Sequence, residues 1–287
     1  MARAYLAVSI VTVLWAINFT VGKICTESID PFFIASSRIV ATGVFFYLLL
    51  PREERKIRRS DWKAILPLSL SGIATNHVCF AAGIYRTTPS HSAIIHALVP
   101  VFVGLMAWMF IGEGQGARAI LGMAIAVAGA LTVVVGATRQ EVSMTLWGDV
   151  ISACGIVAFS FYTVHGRRVV QGMSSRRVVT LAFLFAVPLM VPLLFYGIAR
   201  QPSWSGVPLK GWLALAYMLV FANMICYLLH SYALTRLKAG QVAAFTDIQP
   251  AIGISVAILA GKDHLTASLV VGAAIALVGV VLVQFHR

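Results

Sequence analysis

Trp62 to Arg86 reads WKAILPLSLSGIATNHVCFAAGIYR, and Trp212 to Arg236 reads WLALAYMLVFANMICYLLHSYALTR. The two stretches stand 150 residues apart, and each opens on tryptophan and closes on arginine. The same offset carries Pro100 to Pro250, Glu113 to Asp263 and Gly129 to Gly279, while nearer the start an offset of 142 sets Asn18-Phe19 against Ser160-Phe161. The second half of the chain therefore repeats the first. If each copy crosses a membrane an odd number of times, the copies lie upside down to one another. Inverted repeats of that kind enclose a substrate site near the midplane of secondary transporters.

Composition places almost the whole chain in lipid. With 60% hydrophobic residues, 11% charged and a mean hydropathy of +0.89, a soluble domain of 287 residues would lack polar surface. Apolar runs long enough to span a bilayer are read at Tyr5 to Lys23, Pro31 to Leu50, Ala64 to Tyr85, Thr88 to Ile111, Ala117 to Ala137, Leu146 to His165, Val178 to Ala199, Gly211 to Thr235, Ala239 to Ala260 and Thr266 to Phe285. The expected fold is an all-α integral membrane protein of ten transmembrane helices in two inverted five-helix repeats, residues 1–140 and 141–287.

Lysine and arginine bias sets the orientation. With the N-terminus in the cytoplasm, fifteen basic residues fall inside, among them the run Arg52, Arg55, Lys56, Arg58, Arg59 and Lys63; six fall outside, and Arg38 stays within a span. Both termini are expected to be cytoplasmic, and the N-terminal segment is expected to be a retained first helix. The net charge of +12 is thereby placed beside anionic lipid, which argues against a nucleic-acid partner. Cys25, Cys79, Cys154 and Cys226 form no close pair in sequence and indicate neither a disulfide framework nor a metal site.

Five tryptophans, Trp62, Trp108, Trp147, Trp204 and Trp212, fall near span ends, as an interfacial belt requires. Trp15 sits mid-span with Asn18 one turn on; the pair either packs between helices or lines a cavity. His96 and Thr246 each precede a proline by four residues, Pro100 and Pro250. Proline frees the carbonyl four residues back, and two such carbonyls at similar depth suit an ammonium group, unless side chains or water satisfy them and the prolines act only as hinges. Asp247, the mid-span carboxylate, is read as a proton carrier or substrate counter-ion, with His96 or His230 as partner, or as the structural mate of Arg38. Arg38 itself is read as structural before ligand. Asn76, His77 and Phe80 on helix 3, Asn223, Tyr227 and His230 on helix 8, and Phe159 and Tyr162 on helix 6 follow as walls of an aromatic cavity with a few polar points. Gly122, Ala126 and Gly129 repeat as Gly272, Ala276 and Gly279. These small faces make helices 5 and 10 a scaffold, or a homodimer contact.

The segment Leu14-Trp15-Ala16-Ile17-Asn18-Phe19 with Lys23, the intramembrane Arg38, and the run from Thr87 through Ala93 to Pro100-Val101-Phe102 and Gly112-Glu113 resemble the drug/metabolite transporter superfamily, EamA type. The likeness covers essentially the whole chain, departing at Ala16 and at Lys262-Asp263. It implies a cavity enclosed by helices 1, 3, 4, 6, 8 and 9, with 5 and 10 aside. Within the superfamily the chain is similar to bacterial YddG-type exporters, which implies an inner-membrane location and aromatic or other neutral amino acids as substrates. Nucleotide sugars would call for more intramembrane cations than Arg38. An integral-membrane enzyme would need an HExxH motif, paired intramembrane carboxylates or a nucleophile set, none of which the sequence carries, so no catalytic residue is assigned. Without a GxxxxGK[ST] motif, transport by alternating access is expected to be passive or ion-coupled, with no cofactor and no metal.

Overall fold

The computed structural model describes the backbone of residues 1–112, 116–135 and 139–284, and their side chains except at 111, 139–144, 244, 246, 247, 283 and 284. All the regular structure described is helical. Among the described residues, eight helices are long and apolar enough to cross a membrane, and two shorter apolar helices accompany them. We number the rods α1 (Ala2–Thr26), α2 (Pro31–Leu49), α3 (Arg59–Arg86), α4 (Pro89–His96 and Val99–Ile111), α5 (Ala117–Val135), α6 (Arg139–Gly172), α7 (Ser175–Arg200), α8 (Leu209–Arg236), α9 (Ala239–Ala244, Phe245–Ile248 and Gln249–Leu259) and α10 (Ala267–Gln284).

Several ends follow directly from local chemistry. Asp30 caps α2, its Oδ1 accepting from the Phe32 amide at 2.8 Å, with Pro31 supplying the preset first turn. The same carboxylate meets Arg200 Nε at 3.1 Å, which ties the start of α2 to the end of α7. Thr88 Oγ1 caps α4 by accepting from the His91 amide at 3.2 Å. Asp149 of α6 accepts from Thr87 Oγ1 and faces His91 Nδ1 at 3.0 Å, so the α3–α4 turn is pinned to α6. α6 runs past the expected end at His165 to Gly172, because Arg167 and Arg168 leave the lipid sideways, donating to the carbonyls of Leu234 and Phe110, both at 2.7 Å.

The packing follows the repeat. α2 lies along α7, α5 along α10, α3 along α6 and α1 along α8, while α1 also meets α9 and α4 meets α6. Moving every helix number on by five maps this set of pairs onto itself, as a pseudo-twofold axis requires. The α5–α10 pair is the tightest: a Cβ on Gly129 would stand 2.7 Å from both the Ala276 Cα and the Gly272 carbonyl oxygen, and one on Gly279 would stand 2.7 Å from the Ala126 Cα. The small-residue faces thus mate with each other inside one chain.

Polarity is arranged inside out. Leu6, Leu121, Leu131, Phe195, Leu213 and Leu259 are exposed, while Asn18, Arg38, His77, Asn223, His230 and Gln249 are buried. Of the five tryptophans read as a belt, Trp62, Trp108, Trp147 and Trp212 are exposed and Trp204 is half-buried, as is Trp15. This is a multi-pass membrane protein in which a set of polar groups is buried within a largely apolar core.

Candidate functional site

Four buried polar side chains, Asn18, Arg38, His77 and Gln249, meet at one cavity. Its wall is drawn from α1 (Trp15, Asn18, Phe19), α2 (Arg38), α3 (Asn76, His77, Phe80), α4 (His96, Val99), α6 (Phe159), α8 (Ala222, Tyr227) and α9 (Gln249). It holds about 60 Å³ of free space, room for about four to six water molecules at ~10–15 Å³ each. A larger occupant would require the walls to part.

Two irregular helical segments shape this cavity. α3 passes through a π-helical stretch at Ser69–Thr75 and α8 through another at Met218–Ile225, matching positions of the repeat. A π segment displaces carbonyls from their α-helical partners, and buried carbonyls need replacements. The Gly72 carbonyl accepts from Tyr227 Oη at 3.0 Å, and its counterpart 150 residues on, the Ala222 carbonyl, accepts from Trp15 Nε1 at 2.9 Å. Trp15 and Tyr227 are therefore clasped to backbone opened by the π turns. Gly72 is also where the Tyr162 ring lies against α3, in the space a Cβ would occupy.

Arg38 forms the electrostatic centre. Its Nη2 donates to Asn223 Oδ1, and its guanidinium carbon lies 5.9 Å from the centroid of the Phe80 ring. Among the described residues Nε and Nη1 have no hydrogen-bond partner, and no carboxylate pairs with the group. An arginine at the bilayer centre costs about 3 kcal/mol or more unless compensated. His77 adds to the imbalance: Nδ1 faces the Ile73 carbonyl at 2.8 Å and Nε2 faces Asn223 Oδ1 at 3.1 Å, so a neutral ring can donate to only one of them. Asn18 Oδ1, Asn223 Nδ2 and Gln249 Nε2 are likewise buried without partners. His96 is different. Its Nδ1 donates to the Ser92 carbonyl at 2.8 Å, which leaves the Nε2 lone pair as its remaining polar function.

The structure brings Trp15, Asn18, Asn76, His77, Phe80, His96, Phe159 and Tyr227 to one wall. Two more stand directly behind it: Tyr162 stacks on Phe159 with centroids 5.9 Å apart, and Asn223 bridges Arg38 and His77. His230 packs on Trp15 at 5.5 Å and on Phe159 at 5.4 Å. The side chains of Thr246 and Asp247 lie outside the described residues, as does Glu113. Pro100 and Pro250 stand at the second position of the segments that restart after breaks: α4 is interrupted at Ala97 and Leu98, and α9 narrows to a 3-10 turn over Phe245–Ile248. At the second break the Phe245 carbonyl accepts from Thr12 Oγ1 at 3.0 Å.

Arg38, whose place within a span leaves structural and ligand roles both open, lines the cavity, as do Phe19, Val99, Ala222 and Gln249, which carry no such sequence signal. For these four only the tertiary arrangement decides which helical face meets the cavity.

A polar cavity between two halves of a membrane-embedded helical bundle is the organisation of a secondary transporter. The profile of the EamA-like transporter family matches residues 2–135 and again 146–285, and the chain belongs to that family. Among similar proteins, YetK of Bacillus subtilis is 22% identical over 90% of this chain and 78% of its own length. YyaM of the same organism is 24% identical over 92% and 87%, and YedA of Escherichia coli K12 is 25% identical over 84% and 78%. The first two are described as uncharacterized transporters and YedA as an uncharacterized inner membrane transporter. A solved crystal structure, 17% identical, superposes with a TM-score of 0.70 over 99% of this chain and 97% of that one, which shows the shared fold. The protein is thus a membrane transporter of EamA type.

Proposed function

We propose that this transporter exports small metabolites, aromatic and other neutral amino acids above all, across a bacterial inner membrane by alternating access, without ATP and with both termini in the cytoplasm. The observation that carries the reading is the cavity wall. Trp15, Phe19, Phe80, Phe159 and Tyr227 surround a few fixed polar atoms, the environment that binds a small ring-bearing amphiphile. The lone pair of His96 Nε2 offers an acceptor for an ammonium group. Movement at the Pro100 and Pro250 breaks opens the cavity to one face and then the other. If the cycle is ion-coupled, Asp247 or His96 carries the proton, and replacing both should abolish any dependence on a pH gradient.

Purified protein in liposomes, offered radiolabelled phenylalanine, tryptophan, threonine and a nucleotide sugar with and without a pH gradient, tests this directly. Uptake of the amino acids and its loss in His96→Ala is the expected result. Uptake of the nucleotide sugar alone, or of none of the four by folded protein, would overturn the amino-acid assignment. The wall's single described cation, Arg38, argues against a diphosphate ligand.

A further inference from the structure

We infer that Arg38 is the anchor for a substrate carboxylate, so that the transported compounds are carboxylic acids or zwitterions and not simple cations. The inference rests on the central cavity being the substrate site, and within that reading it names the charged group the site selects. Arg38 is eight residues into α2, roughly 11 Å from the helix start, well inside the membrane. It lines the cavity, is 4% exposed, and keeps Nε and Nη1 unpartnered. The guanidinium fork matches a carboxylate with two parallel hydrogen bonds. One of its donors is already held by Asn223 Oδ1, which fixes the fork in place. Among the described residues Asn223 Nδ2 and Gln249 Nε2 are further donors without partners, and His77, facing two acceptors, adds no negative charge. A lone guanidinium neutralises one negative charge, which favours a carboxylate over a phosphate dianion.

The test compares three probes of one skeleton in the reconstituted protein: phenylalanine, 3-phenylpropionate and phenethylamine. Each is measured as a competitor of labelled uptake and as a stabiliser of the detergent-solubilised protein against heat. Phenylalanine and phenylpropionate are expected to compete and stabilise, and phenethylamine to do neither. Arg38→Gln should weaken the two carboxylates by roughly thirtyfold or more, with Arg38→Lys intermediate. Should Arg38→Gln fail to fold, Asn223→Asp gives a second reading: a carboxylate beside Arg38 should occupy the guanidinium and exclude phenylpropionate.

Phenethylamine acting as strongly as phenylpropionate on the wild-type protein overturns the inference while leaving amino-acid transport intact. Recovery of carboxylate binding when Asp247→Asn is added to Arg38→Gln also overturns it, by assigning Arg38 to that carboxylate. Phenylpropionate bound in an Arg38-dependent way, with no amino acid carried, supports the inference and defeats the amino-acid reading. A carboxylate series that neither moves nor stabilises the wild-type protein overturns it outright.

Discussion

Trp15 does two jobs that can be separated. Its ring meets Phe159 at 5.3 Å, His230 at 5.5 Å and Tyr227 at 5.9 Å, while its indole N–H satisfies the Ala222 carbonyl opened by the π turn. Trp15→Phe keeps an aromatic body and orphans that carbonyl, which costs about 1–3 kcal/mol. The expected result is a lower melting temperature in detergent with transport reduced but present. Trp15→Ala removes the wall as well and should lower apparent substrate affinity by about tenfold, as aromatic contacts and buried area are lost together. Equal effects of the two variants would confine the residue to its hydrogen bond. The sequence made Trp15 legible because it alone among the tryptophans sits away from a span end. Its partner was not legible, since Ala222 carries no side-chain signal and acts through its backbone.

Among the elements, α5 and α10 owe their contact to shape alone. Gly129→Leu would place a branched side chain where the α10 backbone runs, so the pair must separate; overpacking of this kind costs about 1–3 kcal/mol or more. Detergent-solubilised protein should show the loss as a lower melting temperature. The same variant, once folded, should retain ligand-induced stabilisation, because no described residue of either helix lines the cavity. Loss of ligand response without loss of thermal stability would contradict the scaffold role. α4 makes the opposite case. Its interruption at Ala97 and Leu98 comes just before Pro100, and Pro100→Ala supplies the missing amide donor, favouring one continuous helix. Transport should slow severalfold while equilibrium ligand binding persists; an unchanged rate would remove the hinge role. The proline breaks were readable from single residues. The π turns at Ser69–Thr75 and Met218–Ile225 were not, because they arise from packing around Tyr162, Tyr227 and Trp15 and leave no shared residue signature.

On the scale of the molecule, the two halves are bridged at the face where α1 ends. Glu27 accepts from Lys262 Nζ at 2.6 Å, and Asp263 Oδ2 accepts from the Ser90 amide at 3.2 Å. If the halves rock around the cavity, these cross-repeat ties must break when that face opens. Glu27→Cys/Lys262→Cys joined by a short bis-thiosulfonate linker should halt transport, and reduction should restore it. Transport that continues through the linked protein would rule out rocking at this face.

The sequence by itself determined the repeat, the membrane environment, the helical spans and most of the aromatic wall, because hydropathy, proline and duplicated positions act locally and are written residue by residue. Tertiary structure decided how the wall is completed: that Gln249 and Phe19 turn inward, that the small faces of α5 and α10 are used on each other, and that two π turns present Gly72 and Ala222 to aromatic donors. It also decided the place of Arg38. A charge within a span declares itself in sequence, but whether it finds a carboxylate depends on distances between helices far apart in the chain, and those exist only once the two halves have closed around the cavity.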